Sequence, residues 1–312
     1  LAYYNTFYSA KKNFDDALEI ILENNDENGR PSSQSIILLD KAISNAYKIE
    51  QKFYNTKYID DACYIIARST YMKGKISGAK YYFNKIVNDY PDSEYYYESL
   101  IWLGFINIDL GKTDILKAIL NDLENNLDNL QPNLYLFYLL KAKSNEFFNT
   151  LENNDINYLL AIDYSKNKFD KINIYKKLLN IYEEDKNYIK CIEFIDALLL
   201  NIDDTEINTY LEKWFYYNSL NKNYIKNYDY INDKLNNNLS TIDNIFYKLQ
   251  MALTFRFDNK INEAKNIYID LIDEYESNNA TNLKLYFCDI YYNLGLIYLQ
   301  DYGNFYDSKI YF

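Results

Sequence analysis

Apolar and polar positions follow a helical period from residue 60 to residue 93, DDACYIIARSTYMKGKISGAKYYFNKIVNDYPDS. Aromatic and small residues recur there three or four positions apart, a spacing that predicts two amphipathic helices. Gly74 marks a turn between them, and Pro91 ends the second helix because proline cannot continue the helical hydrogen-bond ladder. The segment is therefore predicted to be one helix-turn-helix unit of about 34 residues.

Similar units recur along the chain. The best-matching repeats are predicted at 60–93, 97–128, 172–203, 245–277 and 288–312. Two stretches of the right length match poorly and are interpreted as degenerate repeats: 132–166 and 206–236. Small residues at equivalent positions are expected to lie buried where two helices cross closely: Ala67, Ala79, Gly104, Cys191, Ala252, Ala264 and Gly295.

Length and composition favour one array of such units. The 312 residues leave room for about nine helix pairs at this period. Only 3 Pro and 7 Gly are present, which favours long helices with short turns over an all-β or α/β fold. We therefore predict an all-α, right-handed superhelical solenoid of antiparallel helix pairs. It is expected to form a single domain over residues 1–312 that opens and closes inside a repeat.

The charge balance argues against one large class of partners. The net charge is −12 and the isoelectric point is about 4.7, whereas proteins that bind nucleic acid usually present a clustered basic face. We therefore expect no nucleic-acid partner. No apolar run approaches the length of a membrane span, and no signal peptide is visible. Because the chain begins at Leu1, membrane association is expected only through a lipid anchor on a trimmed leader.

Residues suited to catalysis are scarce. The chain has no His, which removes the commonest general base, the usual nucleophilic triads and most zinc sites. The enzymatic alternative is a carboxylate hydrolase, with Asp60 and Asp61 or Glu183 and Glu184 as candidate acids. Neighbours in sequence point to different sides of a helix. We therefore predict a non-enzymatic protein with no catalytic residue and no cofactor.

The three cysteines are widely separated in the sequence. Cys63, Cys191 and Cys288 show neither the spacing of a metal-ligand cluster nor that of a disulfide framework. We therefore predict no metal site. Cys191 and Cys288 fall at or beside positions that the repeat packs, so both are expected to be small buried side chains.

A partner-binding surface is predicted on the concave face, which the first helices of successive pairs form. In the two clearest repeats this face comprises Asp61, Tyr64, Arg68, Tyr71, Glu98, Ile101 and Phe105. Because aromatic and arginine side chains carry much of the binding energy at interfaces, we expect a protein or peptide segment of some basic character to bind there. Replacing Arg68 by Glu is expected to weaken binding with little effect on melting. The alternative is that the aromatic side chains only pack against the adjacent repeat.

The helix-turn-helix unit resembles the tetratricopeptide repeat, whose implied role is protein binding. The junction YYFNKIVNDYPDSEYYYESLIWLGFINIDLGK resembles that between repeats in the lipoprotein component of the outer-membrane β-barrel assembly machinery and related Gram-negative envelope lipoproteins. The residues that carry this resemblance are Phe83, Tyr90, Pro91, Ser93, Leu103 and Gly111. It implies a scaffold in the periplasm or on the periplasmic face of the outer membrane. A cytoplasmic regulatory or assembly adaptor is the alternative.

Overall fold

The computed structural model describes residues 2–23, 31–150, 154–275 and 284–311. Within these ranges the chain forms sixteen α-helices and no β-strand, which confirms the predicted all-α class. The helices are α1 (Ala2–Glu23), α2 (Ser33–Lys52), α3 (Ile59–Met72), α4 (Ile76–Asp89), α5 (Tyr96–Asp109), α6 (Thr113–Asn125), α7 (Leu134–Phe147), α8 (Asn154–Tyr164), α9 (Lys168–Glu184), α10 (Tyr188–Leu199), α11 (Asp204–Leu220), α12 (Tyr224–Leu235), α13 (Thr241–Phe257), α14 (Ile261–Tyr275), α15 (Lys284–Leu296) and α16 (Phe305–Tyr311). A 3₁₀ segment covers Leu127–Asn133, and a π-helical turn covers Ile297–Asp301.

The chain divides into two compact units, residues 1–174 (unit 1) and residues 175–312 (unit 2). Each unit is described by itself below. The single domain over residues 1–312, with a repeat cut at each end, stays a prediction.

Helices follow one another in pairs along the chain. A short turn brings the second helix of a pair back against the first, as in α3 with α4 and α13 with α14. The structure places such a pair over each of the five ranges expected from the repeat pattern. Helix pairs also occupy the two ranges interpreted as degenerate repeats, with α7 and α8 in the first and α11 and α12 in the second. First helices of successive pairs also contact each other, as α5 does with α7 and α11 with α13.

A residue with left-handed backbone conformation ends the first helix of seven pairs. The φ angles of these residues lie between 55° and 71°, and the residues are Gly74, Gly111, Asn149, Lys186, Lys222, Asn259 and Gly303. In six of these turns the next residue donates its backbone N–H to the carbonyl five positions back, as Lys75 does to Thr70 at 3.0 Å. This hydrogen bond closes the helix end and reverses the chain direction.

The left-handed residues reveal the period of the repeat. Gly74, Gly111, Asn149, Lys186 and Lys222 follow one another at intervals of about 37 positions, longer than the tetratricopeptide period of about 34. The described residues accordingly contain eight helix pairs rather than about nine. The two longest helices, α1 and α2, with 22 and 20 residues, lengthen the first pair further.

The core of each unit lies between the helices of successive pairs. All seven small residues expected at close crossings are buried, which confirms that prediction. At Gly104 the approach is close, since a Cβ atom there would lie 2.5 Å from Leu140 Cδ2 on α7. Cys191 is buried as expected, but Cys288 is exposed. The prediction for Cys288 was wrong because this residue lies two positions before Ile290, which is about 200° around the helix, whereas Ile290 and Leu294 face the core of unit 2.

Candidate functional site

The seven residues of the predicted binding surface lie on the first helices of two successive pairs in unit 1. Asp61, Tyr64, Arg68 and Tyr71 belong to α3, and the others belong to α5. Ile101 has no exposed surface, and Phe105 is 6% exposed. These two side chains belong to the core of unit 1 and offer almost no area to a partner.

Glu98 is the centre of a polar cluster that joins α3 to α5. Its carboxylate accepts hydrogen bonds from Tyr64 Oη, from Trp102 Nε1 at 3.0 Å and from Arg68 Nη1 at 3.0 Å. The guanidinium of Arg68 also lies over the ring of Trp102, 3.9 Å from its centroid. The cation is therefore held on one side by a carboxylate and on another by an aromatic face.

This cluster corrects the expectation for Arg68. Its side chain is only 14% exposed and that of Glu98 only 17%, so the pair is largely removed from water. Replacing Arg68 by Glu would place two carboxylates together in a half-buried site, which destabilises the folded state strongly. The substitution therefore affects folding and is not a clean probe of partner binding.

The remaining residues of the predicted surface also have intramolecular partners. The ring of Tyr64 is buried and stacks on Tyr95 at 4.1 Å. Asp61 accepts a hydrogen bond from Tyr95 Oη at 3.0 Å, and burial raises the pKa of this carboxyl group although that hydrogen bond lowers it. Tyr71 is half-buried, with its hydroxyl 3.4 Å from Asp109. Partner binding at this surface stays a prediction, which depends on the partly exposed residues Asp61, Arg68, Tyr71 and Glu98.

Two of the four candidate acids of the hydrolase alternative, Asp61 and Glu183, are acceptors within the fold. Asp61 binds Tyr95, as described above. Glu183 accepts from Lys213 Nζ and from Tyr217 Oη, both at 2.7 Å. These bonds give Asp61 and Glu183 a structural role between successive first helices.

Unit 2 contains a cavity of about 610 Å³, which we call the unit 2 pocket. Its walls come mainly from the first helices α11, α13 and α15 and from the π-helical turn that follows α15. Five aromatic side chains supply much of its apolar surface: Phe215, Tyr216, Phe246, Phe257 and Tyr286. Phe215 and Phe246 are nearly inaccessible, whereas Tyr216 and Phe257 are 49% and 40% exposed. The last two rings meet edge to face, with centroids 5.8 Å apart.

Acidic side chains outnumber basic ones in the described lining of this pocket. Glu212, Asp289 and Asp301 face a single arginine, Arg256. Arg256 Nε donates to Asp301 Oδ2 at 2.9 Å, and Nη2 donates to Gln300 Oε1 at 2.9 Å. Arg256 is thus neutralised by Asp301, and Glu212 and Asp289 remain without a cation among the described residues.

Titration shifts in the pocket agree with this excess of negative charge. Burial raises the pKa of Glu212, and repulsion from Asp289 raises it further. Burial also raises the pKa of Tyr286, with added contributions from Glu212, Asp243 and Asp289. A cation placed among these groups would relieve the repulsion.

Sequence reasoning missed the unit 2 pocket because it placed the binding surface on the two clearest repeats, 60–93 and 97–128, and because α11 lies in a stretch interpreted as degenerate. A signal is nevertheless present on α13. Phe246, Leu249, Gln250, Leu253 and Phe257 line the pocket and recur three or four positions apart. Residues at this spacing lie on one face of a helix. A second apolar face of α13 packs in the core of unit 2.

Among residues 2–23, 31–150, 154–275 and 284–311, no three His, Cys, Asp or Glu side chains are grouped as a metal site would require. No helix in that part of the chain combines the length and apolarity that a bilayer crossing demands.

Comparison with known families identifies one repeat. Residues 61–93, which cover most of α3 and all of α4, match the tetratricopeptide repeat family. Together with the successive helix pairs, this match supports an all-α, tetratricopeptide-like repeat protein. None of the curated proteins matches the chain. The closer resemblance to envelope lipoproteins therefore stays a prediction.

Proposed function

We propose that the chain is a non-enzymatic scaffold that binds a segment of a partner protein on the surface of its first helices. The observation that carries the proposal is the tetratricopeptide repeat at residues 61–93, because repeats of this kind present an extended binding surface built from successive units. The unit 2 pocket supports it, since the pocket opens between first helices and carries exposed aromatic side chains at its mouth.

Site-specific photo-crosslinking in the native cell tests this function. A photoreactive phenylalanine replaces Tyr71 on α3 and, separately, Tyr216 on α11, both on first helices. The matched controls carry it at Tyr81 on α4 and at Ile225 on α12, which are 61% and 74% exposed on second helices. We expect a discrete protein partner to be crosslinked from the first-helix positions. Crosslinks only from Tyr81 and Ile225, or from no position, would overturn the proposal.

The proposed location is the periplasm or the periplasmic face of the outer membrane. The resemblance of the junction around Pro91 to envelope lipoproteins supports this location, whereas the repeat itself is shared by cytoplasmic adaptors. Fractionation of the native organism, followed by immunodetection of the chain, distinguishes the two. Recovery with periplasmic or outer-membrane markers is the expected result, and recovery only with cytoplasmic markers would contradict it.

A further inference from the structure

The unit 2 pocket has the size and lining of a ligand site. Its volume of about 610 Å³ lies within the range of roughly 300–1,000 Å³ that is usual for such sites. Apolar rings form the deep walls, and the partly exposed rings of Tyr216 and Phe257 stand at the mouth. A side chain from a partner can therefore lie between aromatic surfaces as it enters.

Gln250 supplies an independent indication of a ligand. This residue lines the pocket and is only 7% exposed. Within the described part of the chain, no side chain or backbone group forms a hydrogen bond with its side-chain amide; its backbone carbonyl accepts from Thr254. The residue as a whole is more than nine-tenths buried, and its unpaired amide lies in the wall of the cavity, where it is open to a polar group of a ligand.

The carboxylates without a cationic partner determine the sign of the ligand's charge. Glu212 and Asp289 face the cavity without a cationic partner among the described residues, while Arg256 is already paired with Asp301. Two exposed carboxylates that repel each other beside an apolar cavity favour a bound cation. The occupant is accordingly basic, and the aromatic walls require it to be flat or apolar along most of its length.

In unit 1 the chain already holds a cation between an aromatic ring and a carboxylate. There the guanidinium of Arg68 lies 3.9 Å from the centroid of Trp102 and pairs with Glu98 at 3.0 Å. A guanidinium is planar, stacks on rings and can bond two carboxylates at once, whereas an ammonium is a compact and strongly hydrated charge. An aromatic pocket with two free carboxylates and a free amide oxygen therefore suits arginine better than lysine.

We propose that the unit 2 pocket binds an arginine side chain of the partner segment, held by Glu212, Asp289 and Gln250 and flanked in the partner by an apolar residue. This inference rests on the proposed function, because it assumes that the occupant belongs to a protein. It goes further in naming the pocket, the residue type and the groups that recognise it.

Peptide selection on the full chain tests the inference. Phage-displayed random heptapeptides are selected on the immobilised protein, and enriched sequences are synthesised with Arg, Lys or the neutral isostere citrulline. Their affinities are measured by fluorescence anisotropy for the parent and for the double variant Glu212→Gln, Asp289→Asn. The matched control is Asp229→Asn, Asp270→Asn, which removes the same charge from exposed positions on α12 and α14. Unfolding midpoints verify that each variant folds, and neither amide replacement changes side-chain volume appreciably.

We expect enriched peptides to share an arginine beside an apolar residue. Citrulline, and separately the double variant, should each weaken binding by about tenfold or more, since a close charge pair is lost. The control variant should bind like the parent. Equal binding of the lysine peptides would overturn the assignment to arginine, and equal binding by the pocket variant would overturn the site.

The outcomes separate this inference from the function on which it rests. Enriched peptides that bind the double variant as tightly as the parent show peptide binding elsewhere, so the pocket assignment fails and the scaffold function stands. If no peptide is enriched and no partner is crosslinked from the first helices, both proposals fail. A crosslinked partner without any enriched peptide also contradicts the pocket, because a short arginine-containing segment should suffice to occupy it.

Discussion

Buried and half-buried tyrosines in this chain donate their hydroxyls to carboxylates about one repeat away. Tyr217 donates to Glu183 at 2.7 Å, and Tyr95 donates to Asp61 at 3.0 Å, each across 34 positions of sequence. The ring fills space between neighbouring pairs while the hydroxyl reaches a charged acceptor. The 37 Tyr thus include a group that joins one repeat to the next, in addition to those that only fill the core.

The hydroxyl of Tyr268 has no such carboxylate acceptor among the described residues. Tyr268 is fully buried on α14, and its oxygen has no hydrogen-bond partner among the described residues. Replacing Tyr217 by Phe should lower the free energy of unfolding by about 1–2 kcal/mol, because a hydrogen bond to a charged acceptor is lost. Replacing Tyr268 by Phe should raise it by about 1 kcal/mol, because an unpaired buried hydroxyl is removed. Urea denaturation measures both, and a loss of stability in the second variant would show that Tyr268 has a partner.

Gly104 allows α5 and α7 to approach closely. Replacing it by Ala gains about 1 kcal/mol of helix propensity but places a methyl group 2.5 Å from Leu140 Cδ2. Leu140 is itself fully buried, so overpacking of about 1–3 kcal/mol should outweigh the gain. We expect a net loss of stability in chemical denaturation.

The same substitution in a Leu140→Ala background provides the control. The clashing carbon is then absent, and the new methyl group fills part of the space that the leucine leaves. Gly104→Ala should therefore be stabilising in that background. An equal loss of stability in both backgrounds would mean that the clash with Leu140 is not the cause.

At the scale of elements, the turn between the two helices of a pair is the most regular feature of the fold. Sequence reasoning located this turn where glycine occupies it, at Gly74. It gave no such signal at Lys186 or Lys222, because lysine ordinarily favours the interior of a helix. The left-handed conformation at those positions is imposed by the packing of the two helices, which single-residue preferences do not contain.

Lys222 offers a test of that argument. It is exposed and has φ of 61°, a conformation that carries a penalty of roughly 1–2 kcal/mol for a residue with a Cβ atom. Replacing it by Gly should stabilise unit 2 by about 0.5–1 kcal/mol, once the greater freedom of glycine in the unfolded chain is subtracted. Lys222→Ala keeps the Cβ atom and should show no such gain. Thermal or urea unfolding compares the two, and equal effects would exclude backbone strain as the cause.

The candidate site was harder to predict than the fold, for a physical reason. Helical periodicity correctly placed Arg68 and Glu98 on first helices. It did not indicate that these side chains neutralise each other across two repeats, since that depends on the distance and rotation between helices. The unpaired carboxylates of Glu212 and Asp289 were missed for the same reason, because pairing is a property of the assembled unit.

Considered as a whole, the chain carries a net charge of −12, and several of its carboxyl groups lie in places that disfavour ionisation. Burial is the largest cause of a raised pKa at Asp15, Asp61, Asp170 and Glu212. The opposite shift occurs at Asp258, where Lys260 is the main cause of a lowered pKa. Four carboxyl groups with a raised pKa thus stand against one with a lowered pKa among these described residues.

These shifts predict that the protein is more stable in mildly acidic than in neutral solution. A carboxyl group with a raised folded-state pKa binds its proton more readily in the folded state, so the free energy of unfolding increases as pH falls from neutrality through that pKa. The increase ends below the ordinary values of 3.8 for Asp and 4.5 for Glu, where both states are protonated. Protonation also lessens the repulsion within an acidic chain. At still lower pH the contribution of Asp258 is lost, because its folded-state pKa lies below the ordinary value.

Urea denaturation at a series of pH values from neutrality to mild acidity measures this dependence. The double variant Asp170→Asn, Glu212→Gln should show a shallower rise than the parent, because two of the groups that take up protons in the folded state are absent. Asp270→Asn removes a carboxylate that is exposed to water on α14 and should leave the slope nearly unchanged. A stability that falls steadily from neutrality into mild acid would contradict this expectation, since it would require ion pairs such as that of Arg68 with Glu98 to outweigh the carboxyl groups with raised pKa values.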